Sequence, residues 1–268
     1  MPTPCRILPA LCALALAHAA PPAPHNNLTT AERAAGWKLL FDGHSMEGWH
    51  DPARKSPPGD AWSIEDGCLK ANPHPRITED LVTAATFTDF ELQFDWRISP
   101  GGNSGVKYRI QDFVFLANAP VKRFEDLVDY SISNRILARP ARGQEYVIGF
   151  EYQVIDNGVN RDALRGGKYQ SAALYDMAAP TRDATRPVGQ FNHGRIVLKG
   201  NHVEHWLNGD KVLEVDLTEA GKDAATRWGS GSAVYHMLAT QPRKDCPISL
   251  QNHDSAAWFR DIKIRPLP

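Results

Sequence analysis

From Phe90 to Ile98 the chain alternates without a break. Phe90, Leu92, Phe94, Trp96 and Ile98 are apolar, and Glu91, Gln93, Asp95 and Arg97 between them are polar or charged. Successive side chains of a strand point to opposite faces, so this period predicts a strand with one face buried and one face wet. Shorter runs, WKLLF, AWSIE, CLKA and DLVTA, lie upstream between turn residues and read as further strands. Downstream, FNHGRIVLKGNHVEHWLNGDKVLEVDL predicts three strands, with Lys199-Gly200-Asn201 and Asn208-Gly209 as the turns. Asn-Gly favours a tight hairpin because both residues tolerate positive φ. CPISLQNH and AAWFRDIKIRPL predict the last strands. Helical signals are few. LTTAERAAG offers Thr29 as a cap, Glu32 three residues on and Gly36 as a stop. LTEAGKDAATRW reads as a second helix with Thr218 as a candidate cap. So many alternating strands with a few short helices predict an all-β sandwich of two packed antiparallel sheets.

The strand that follows GGNSG raises a different question. Val106, Tyr108 and Ile110 take the core parity, which leaves Asn103, Lys107 and Arg109 on the opposite face. In FEYQVID, Phe150, Tyr152 and Val154 share one parity, and Glu151 and Gln153 the other. If the two strands lie in one sheet, Lys107, Arg109, Glu151 and Gln153 share a face. Residues 113–145, which include VKRFEDLVDYSISNRI, read as a long insertion loop with a helical stretch inside it. Connections of that length in a compact domain often carry function.

Composition narrows the partners. The chain of 268 residues carries a formal net charge of −1 with both signs interspersed, which argues against nucleic-acid and polybasic membrane binding. The first nineteen residues differ from the rest: Arg6 precedes an apolar run that ends in Ala17-His18-Ala19. That is the pattern of a secretory signal peptide over 1–19, with an apolar run too short for a membrane span. Residues 20–35 then form a leader and the short helix, and 36–268 a single domain in the periplasm or outside the cell. Cys68 and Cys246 remain after removal of the signal. An oxidising compartment permits a disulfide between them, and two separately buried thiols fit equally well.

Six stretches occur together in a fixed order: LFDGHSMEGW, WSIEDGCL, DFELQFDWRISPGGNSGVKYR, FEYQVID, WLNGDKV and ISLQNHDSAAWFRDIKIRPL. In this the chain resembles domain-of-unknown-function family 1080, the 3-keto-disaccharide or 3-keto-glycoside hydrolases, over roughly residues 36–268. The resemblance implies a concanavalin A-like jelly-roll sandwich, often secreted or periplasmic, acting on sugars already oxidised at C3. Two departures stand out. The link between the NSG strand and the EYQVID strand is long, and Cys246 occupies the place of a glycine before the penultimate strand.

A 3-keto sugar needs a base for the acidic hydrogen at C2, a cation or metal for the enolate oxygen, and an acid for the leaving oxygen at C1. Elimination followed by hydration then cleaves the glycoside without an oxocarbenium route. Glu151 is the candidate base, Arg109 and Lys107 the candidate enolate cations, and His253 or His205 a candidate base or acid, since imidazole titrates near neutral pH. Asn103, Lys107, Gln153 and Gln251 suit sugar recognition, and Trp206 suits stacking on a sugar ring. Each has a plainer alternative. Glu151 and Arg109 can form a structural ion pair, His253 can be a turn residue beside Asp254, and His205 has core parity. No cofactor is predicted. H-E-x-x-H and close cysteine pairs are absent from the sequence, while a divalent ion held by carboxylate and histidine from separate strands stays open. The rival to an enzyme is a non-catalytic carbohydrate-binding module on the same sandwich.

Overall fold

The computed structural model describes residues 24–52, 58–117, 143–229 and 233–268. The expected signal peptide, 1–19, and the VKRFEDLVDYSISNRI stretch lie outside them. Helix α1 (Thr30–Ala34) precedes six short strands: β1 (Lys38–Leu39), β2 (Trp49–His50), β3 (Trp62–Glu65), β4 (Cys68–Ala71), β5 (Ile77–Thr78) and β6 (Leu81–Thr83). The long strands β7 (Phe90–Ile98), β8 (Asn103–Ala117) and β9 (Gly143–Ile155) follow, then two 3-10 turns, Ala163–Arg165 and Gly167–Tyr169. The meander β10 (Asn192–Lys199), β11 (His202–Leu207) and β12 (Asp210–Asp216) leads into helices α2 (Leu217–Trp228) and α3 (Ala233–Thr240). Strands β13 (Ser249–Leu250) and β14 (Ala257–Pro266) close the chain.

These strands form the two-sheet jelly-roll sandwich. The first sheet runs β12-β11-β10-β7-β14-β4-β3, with β1 also paired to β14; the second runs β2-β6-β13-β8-β9-β5. Pairing is antiparallel except between β5 and β9. The core sits between the sheets and follows the predicted parity: Phe90, Leu92, Phe94, Trp96 and Ile98 of β7 face Val106, Tyr108, Phe150, Tyr152 and Val154 of β8 and β9. The rings of Phe94 and Tyr152 meet edge to face at 5.3 Å, the arrangement their quadrupoles favour. His205 is the polar member of this layer. It is fully buried, its Nδ1 donates to the Ala172 carbonyl at 2.9 Å, and its Nε2 lies 2.9 Å from the Tyr108 hydroxyl. Burial lowers its pKa to about 4, so it is a neutral structural histidine.

Local expectations fare differently. At α1 the capping box forms as read, with Thr29 and Glu32 satisfying each other's backbone donors. At α2 the cap is Asp216, not Thr218: its carboxylate accepts from Thr218 N and Glu219 N at 2.8 and 3.1 Å. A carboxylate is also the better group at the positive end of a helix dipole. The expected loop 113–145 is strand at both ends, since Phe113 pairs with Val147 and Ala117 with Gly143. Cys68 and Cys246 are both buried free thiols.

Candidate active site

The parity of β8 holds as far as Tyr108 and then breaks. Tyr108 pairs with Phe150, but the next pair is Asp112 with Ile148, so three residues of β8 oppose one of β9. Arg109 takes φ of 50° in this bulge. Inside the bulge the faces are exchanged, and beyond it the even parity returns, with Val114 back in the core. Ile110, expected in the inter-sheet core, joins a small cluster with Val82, Val147 and Cys246. Arg109 turns the other way. Its guanidinium donates to the Gly200 carbonyl at 2.6 Å and the Lys244 carbonyl at 2.8 Å, and meets Asp89 at 3.3 Å. Gly200 and Asp89 belong to turns of the opposite sheet, so Arg109 does not share a groove with Glu151. The expected Arg109–Glu151 partnership is therefore corrected: Arg109 ties the two sheets together.

Lys107 does meet Glu151. Across the second sheet Val82 pairs with Ser249, Ser249 with Lys107, and Lys107 with Glu151, which sets these side chains in one row on the face away from the core. Asp80, two residues before Val82, joins the same face. The Lys107 ammonium lies 3.5 Å from Asp80 Oδ2, 3.3 Å from the Val147 carbonyl and 4.0 Å from Glu151 Oε2, and 4.7 Å from the centre of the Tyr146 ring. The Lys107 side chain is 2% exposed and that of Glu151 11%, so Glu151 is the member open to solvent.

Gly105 explains how Glu151 gets there. A Cβ at Gly105 would lie 2.2 Å from Glu151 Oε1, so the carboxylate rests in the space that only glycine leaves. The same oxygen is 3.0 Å from the Gln153 side-chain nitrogen, which also donates to the Ser104 carbonyl at 2.9 Å when the amide is oriented to satisfy both. The glycine of NSG, which the structure places within β8 and not in a turn, is thus a seat for the carboxylate of the neighbouring strand.

Two carboxylates share one ammonium in a buried place. Burial pushes Glu151 up to about 7, against the pull of Lys107. Burial likewise pushes Asp80 up to about 6. Lys107 resists desolvation because Asp80 and Glu151 hold its charge, and its pKa rises. The cluster therefore keeps a proton close to neutral pH and can give or take it there.

The remaining expected residues divide. Gln153 holds Glu151. Gln251 is adjacent, its backbone N–H donating to the Gly105 carbonyl at 2.9 Å, and its side-chain oxygen is buried without a partner, as is the Ser249 hydroxyl. Two unpaired oxygens in one buried polar row suit ligand hydroxyls. Asn103 is buried at the start of β8, opposite Ile155. His253 is exposed past the end of β13, and the surrounding protein together with Lys107 lowers its pKa. Trp206 is a correction. It sits on the outer face of the first sheet, opposite in parity to buried His205, with Arg195 over its ring at 4.7 Å and its indole donating to Glu204 at 2.7 Å. It is no part of this site.

Sequence reasoning missed Asp80, although its parity with Val82 was readable in TEDLV. It also missed a cavity that opens beside Glu151. Among its walls are Tyr146, Tyr169, Tyr175, Asp176, Trp228 and Tyr235, drawn from β9, the second 3-10 turn and the segment after it, and helices α2 and α3. No spacing in the sequence links them. Asp176 is their hub: it accepts from Tyr169 at 2.7 Å and from Trp228 and Tyr235 at 2.6 Å each, and lies 3.0 Å from the Lys168 ammonium. Burial alone would raise its pKa, but these donors hold it down at about 2.

Two sites could gather metal ligands among the described residues: His25 with Asp95 and Asp261, and His202 with Glu204 and Glu214. Both draw on the first sheet, while the cluster around Lys107 lies on the second. Lys211 already bridges Glu204 and Glu214, and Arg260 lies 3.8 and 3.7 Å from Asp95 and Asp261. These side chains neutralise the carboxylates without an ion.

Comparison with known proteins gives a consistent set. The 3-keto-alpha-glucoside-1,2-lyase-like domain matches residues 36–265. A 3-keto-disaccharide hydrolase of Bacteroides thetaiotaomicron is 30% identical over 250 residues, covering 87% of this chain and 79% of that protein. A candidate glycosyl hydrolase from Parabacteroides distasonis, solved at 1.70 Å, superposes with a TM-score of 0.63 at 24% identity, over 91% of this chain and 100% of the other. A second from the same organism gives a TM-score of 0.56 at 24% identity, over 86% and 99%. These two likenesses concern the fold.

Proposed function

The chain belongs to the family of the 3-keto-alpha-glucoside-1,2-lyase-like domain, and from that premise we propose that it cleaves glycosides oxidised at C3, with Glu151 as the base. Membership makes it a carbohydrate-active protein. The observation that carries the finer reading is the Glu151 carboxylate, buried beside Lys107 with its pKa at about 7, because a base works best when its pKa lies near the working pH.

The chemistry runs as follows. The ketone at C3 acidifies the C2 hydrogen. Glu151 takes that proton, and the C2–H electron pair moves into an enolate whose oxygen faces the Lys107 ammonium. The enolate pair then forms the C1–C2 double bond and expels the leaving oxygen at C1, which takes a proton from the solvent side, where His253 lies. Addition of water, with hydroxyl to C1 and a proton to C2, gives the free 3-keto sugar. Gln251 and Ser249 offer their unpaired oxygens to sugar hydroxyls. The rival, a non-catalytic module, needs only a surface for binding. The face carries a buried lysine and two carboxylates of raised pKa, which a binding surface does not require.

The test is incubation with matched glucosides, native and oxidised at C3, with products read by mass spectrometry. Cleavage of the oxidised member alone supports the proposal; equal cleavage of both, or of neither, overturns it. We place the activity in the periplasm or outside the cell, on the strength of Arg6, the apolar run and Ala17-His18-Ala19. Exported protein whose N-terminus is still Met1 would remove that assignment.

A further inference from the structure

The cavity beside Glu151 has a volume of about 120 Å³, on the order of a cavity that takes a single benzene-sized ring. Its walls are rich in tyrosine and tryptophan, residues that usually offer a sugar both a ring face and a hydroxyl or N–H. Here the polar tips are already committed. The Tyr169 and Tyr235 hydroxyls and the Trp228 N–H all donate to Asp176. The Tyr175 hydroxyl donates to Asp162 at 2.7 Å. A donor bound to a buried carboxylate at such distances is not free for a ligand hydroxyl, since taking it away leaves part of the carboxylate unpaired. What the cavity offers instead is mainly ring surface, together with the buried side chains of Val234 and Leu238; the Arg165 guanidinium in its wall is paired with Asp162 and lies over the Tyr169 ring. The rings of Trp228 and Tyr235 are parallel within 2°, their centres 6.0 Å apart, and Trp228 is 48% exposed. The wall is flat and oriented before anything binds.

We propose that this cavity is the subsite for the group released from C1, and that it selects a planar, weakly polar aglycone, an aryl group, over a second sugar. The inference rests on the assignment of Glu151 as the base, which fixes the sugar ring at the Lys107 side and leaves the cavity for the group beyond C1. Asp176 is then a positioning residue. It spends its charge on holding three rings in one arrangement and touches no reacting atom.

The assay compares phenyl 3-keto-glucoside with a glucose disaccharide oxidised at the same carbon, each in both anomers, on the native protein, Trp228→Ala and Trp228→Phe. Intrinsic leaving-group ability cancels, because each substrate is compared with itself across variants. Trp228→Ala lowers the preference for phenyl over disaccharide, as the ratio of kcat/KM values, about tenfold, the upper end of what one aromatic contact supplies, and the loss falls on KM. Trp228→Phe restores most of it. An equal loss on both substrates, or no loss on the phenyl substrate, overturns the aryl assignment. Calorimetric binding of unoxidised phenyl glucoside separates this failure from that of the base. Binding weakened by Trp228→Ala but not by Glu151→Gln, in a protein that cleaves neither oxidised substrate, would keep the subsite and discard the chemistry. Binding that Trp228→Ala leaves unaltered would discard the subsite.

Discussion

Glu151 and Asp176 line one cavity, and both are carboxylates set among buried side chains. Yet Glu151 sits at about 7 and Asp176 at about 2. Burial acts upward on both, so burial does not separate them. The difference lies in the donors. Asp176 receives side-chain hydrogen bonds from Tyr169, Trp228, Tyr235 and Arg227, and has a lysine at 3.0 Å. Glu151 has one amide donor and a lysine at 4.0 Å that leans toward Asp80. A carboxylate whose lone pairs are filled is a structural hub; one left short of donors beside a cation keeps a proton near neutrality and can move it.

Amide replacements at the two positions break the comparison most sharply. Glu151→Gln keeps the shape and removes the base, so kcat on a 3-keto glucoside falls about a thousandfold, the usual scale for loss of a positioned base. Its melting temperature at pH 8 holds or rises, because a poorly satisfied buried charge is gone. Asp176→Asn does the reverse. It leaves Lys168 and several donors facing a neutral amide, costing about 3 kcal/mol, or about 10 °C in a domain of this size. Turnover and melting temperature measured on the same two proteins decide the matter. A Glu151→Gln protein with near-native turnover would end the base assignment.

Gly105→Ala is the next largest effect. The new methyl group would lie 2.2 Å from Glu151 Oε1 and must push the carboxylate off its seat. The obstacle is the end of a flexible side chain, so the fold yields cheaply while the geometry of proton transfer does not. We expect kcat to fall about a hundredfold, the scale of a base displaced by an ångström, with a small change in melting temperature. Equal losses of stability and turnover would show that Gly105 serves the backbone and not the carboxylate.

The same contrast gives opposite limbs in pH. Glu151 and Asp80 have folded pKa values of about 7 and about 6, above the ordinary 4.5 and 3.8. The folded chain holds protons that the unfolded chain has released, so this contribution to stability is full below about pH 4 and is lost as pH rises through 6 and 7. Asp176, held at about 2 against an ordinary 3.8, stabilises above the ordinary value and loses that effect as pH falls toward 2. Melting temperature should therefore decline from pH 5 to 7.5, less steeply in Glu151→Gln. Over the same range kcat/KM should rise with an apparent pKa near 7. A rise in melting temperature across this window, equal in both proteins, would contradict the pKa assigned to Glu151.

How much of this was legible follows from the range of the forces. The sandwich was, because alternation is local and each run, such as Phe90–Ile98, states its buried face alone. Lys107 beside Glu151 was also legible, since both strands keep their period up to the pair Tyr108–Phe150. The bulge at Arg109 was not. An inserted turn of backbone leaves YRIQD looking like regular strand, and only the partner strand reveals the missing register. The Asp176 hub was invisible for a different reason. Its donors come from Tyr169, Arg227, Trp228 and Tyr235, on segments that meet only after α2 packs on α3 and α3 on β9. Trp206 misled because parity told which residues shared its face but not which side of the sandwich that face was on.

Arg109→Lys is the smallest expected effect and the control on the rest. Arg109 is a buried charge in a structural role, like Asp176, but outside the cavity: its guanidinium spans Gly200 O, Lys244 O and Asp89, and its side chain is 1% exposed. A lysine keeps the charge and cannot reach three acceptors in a planar fork, so the protein loses about 2 kcal/mol of stability. If Arg109 served the enolate, as its sequence parity with Lys107 suggested, turnover per folded molecule would fall with the loss of the fork. The bulge turns it toward the opposite sheet, so turnover per folded molecule, assayed well below the melting temperature, should stay within about twofold of the native protein. A tenfold fall in kcat at unchanged folded fraction would return Arg109 to the groove and show that the bulge straightens when substrate binds.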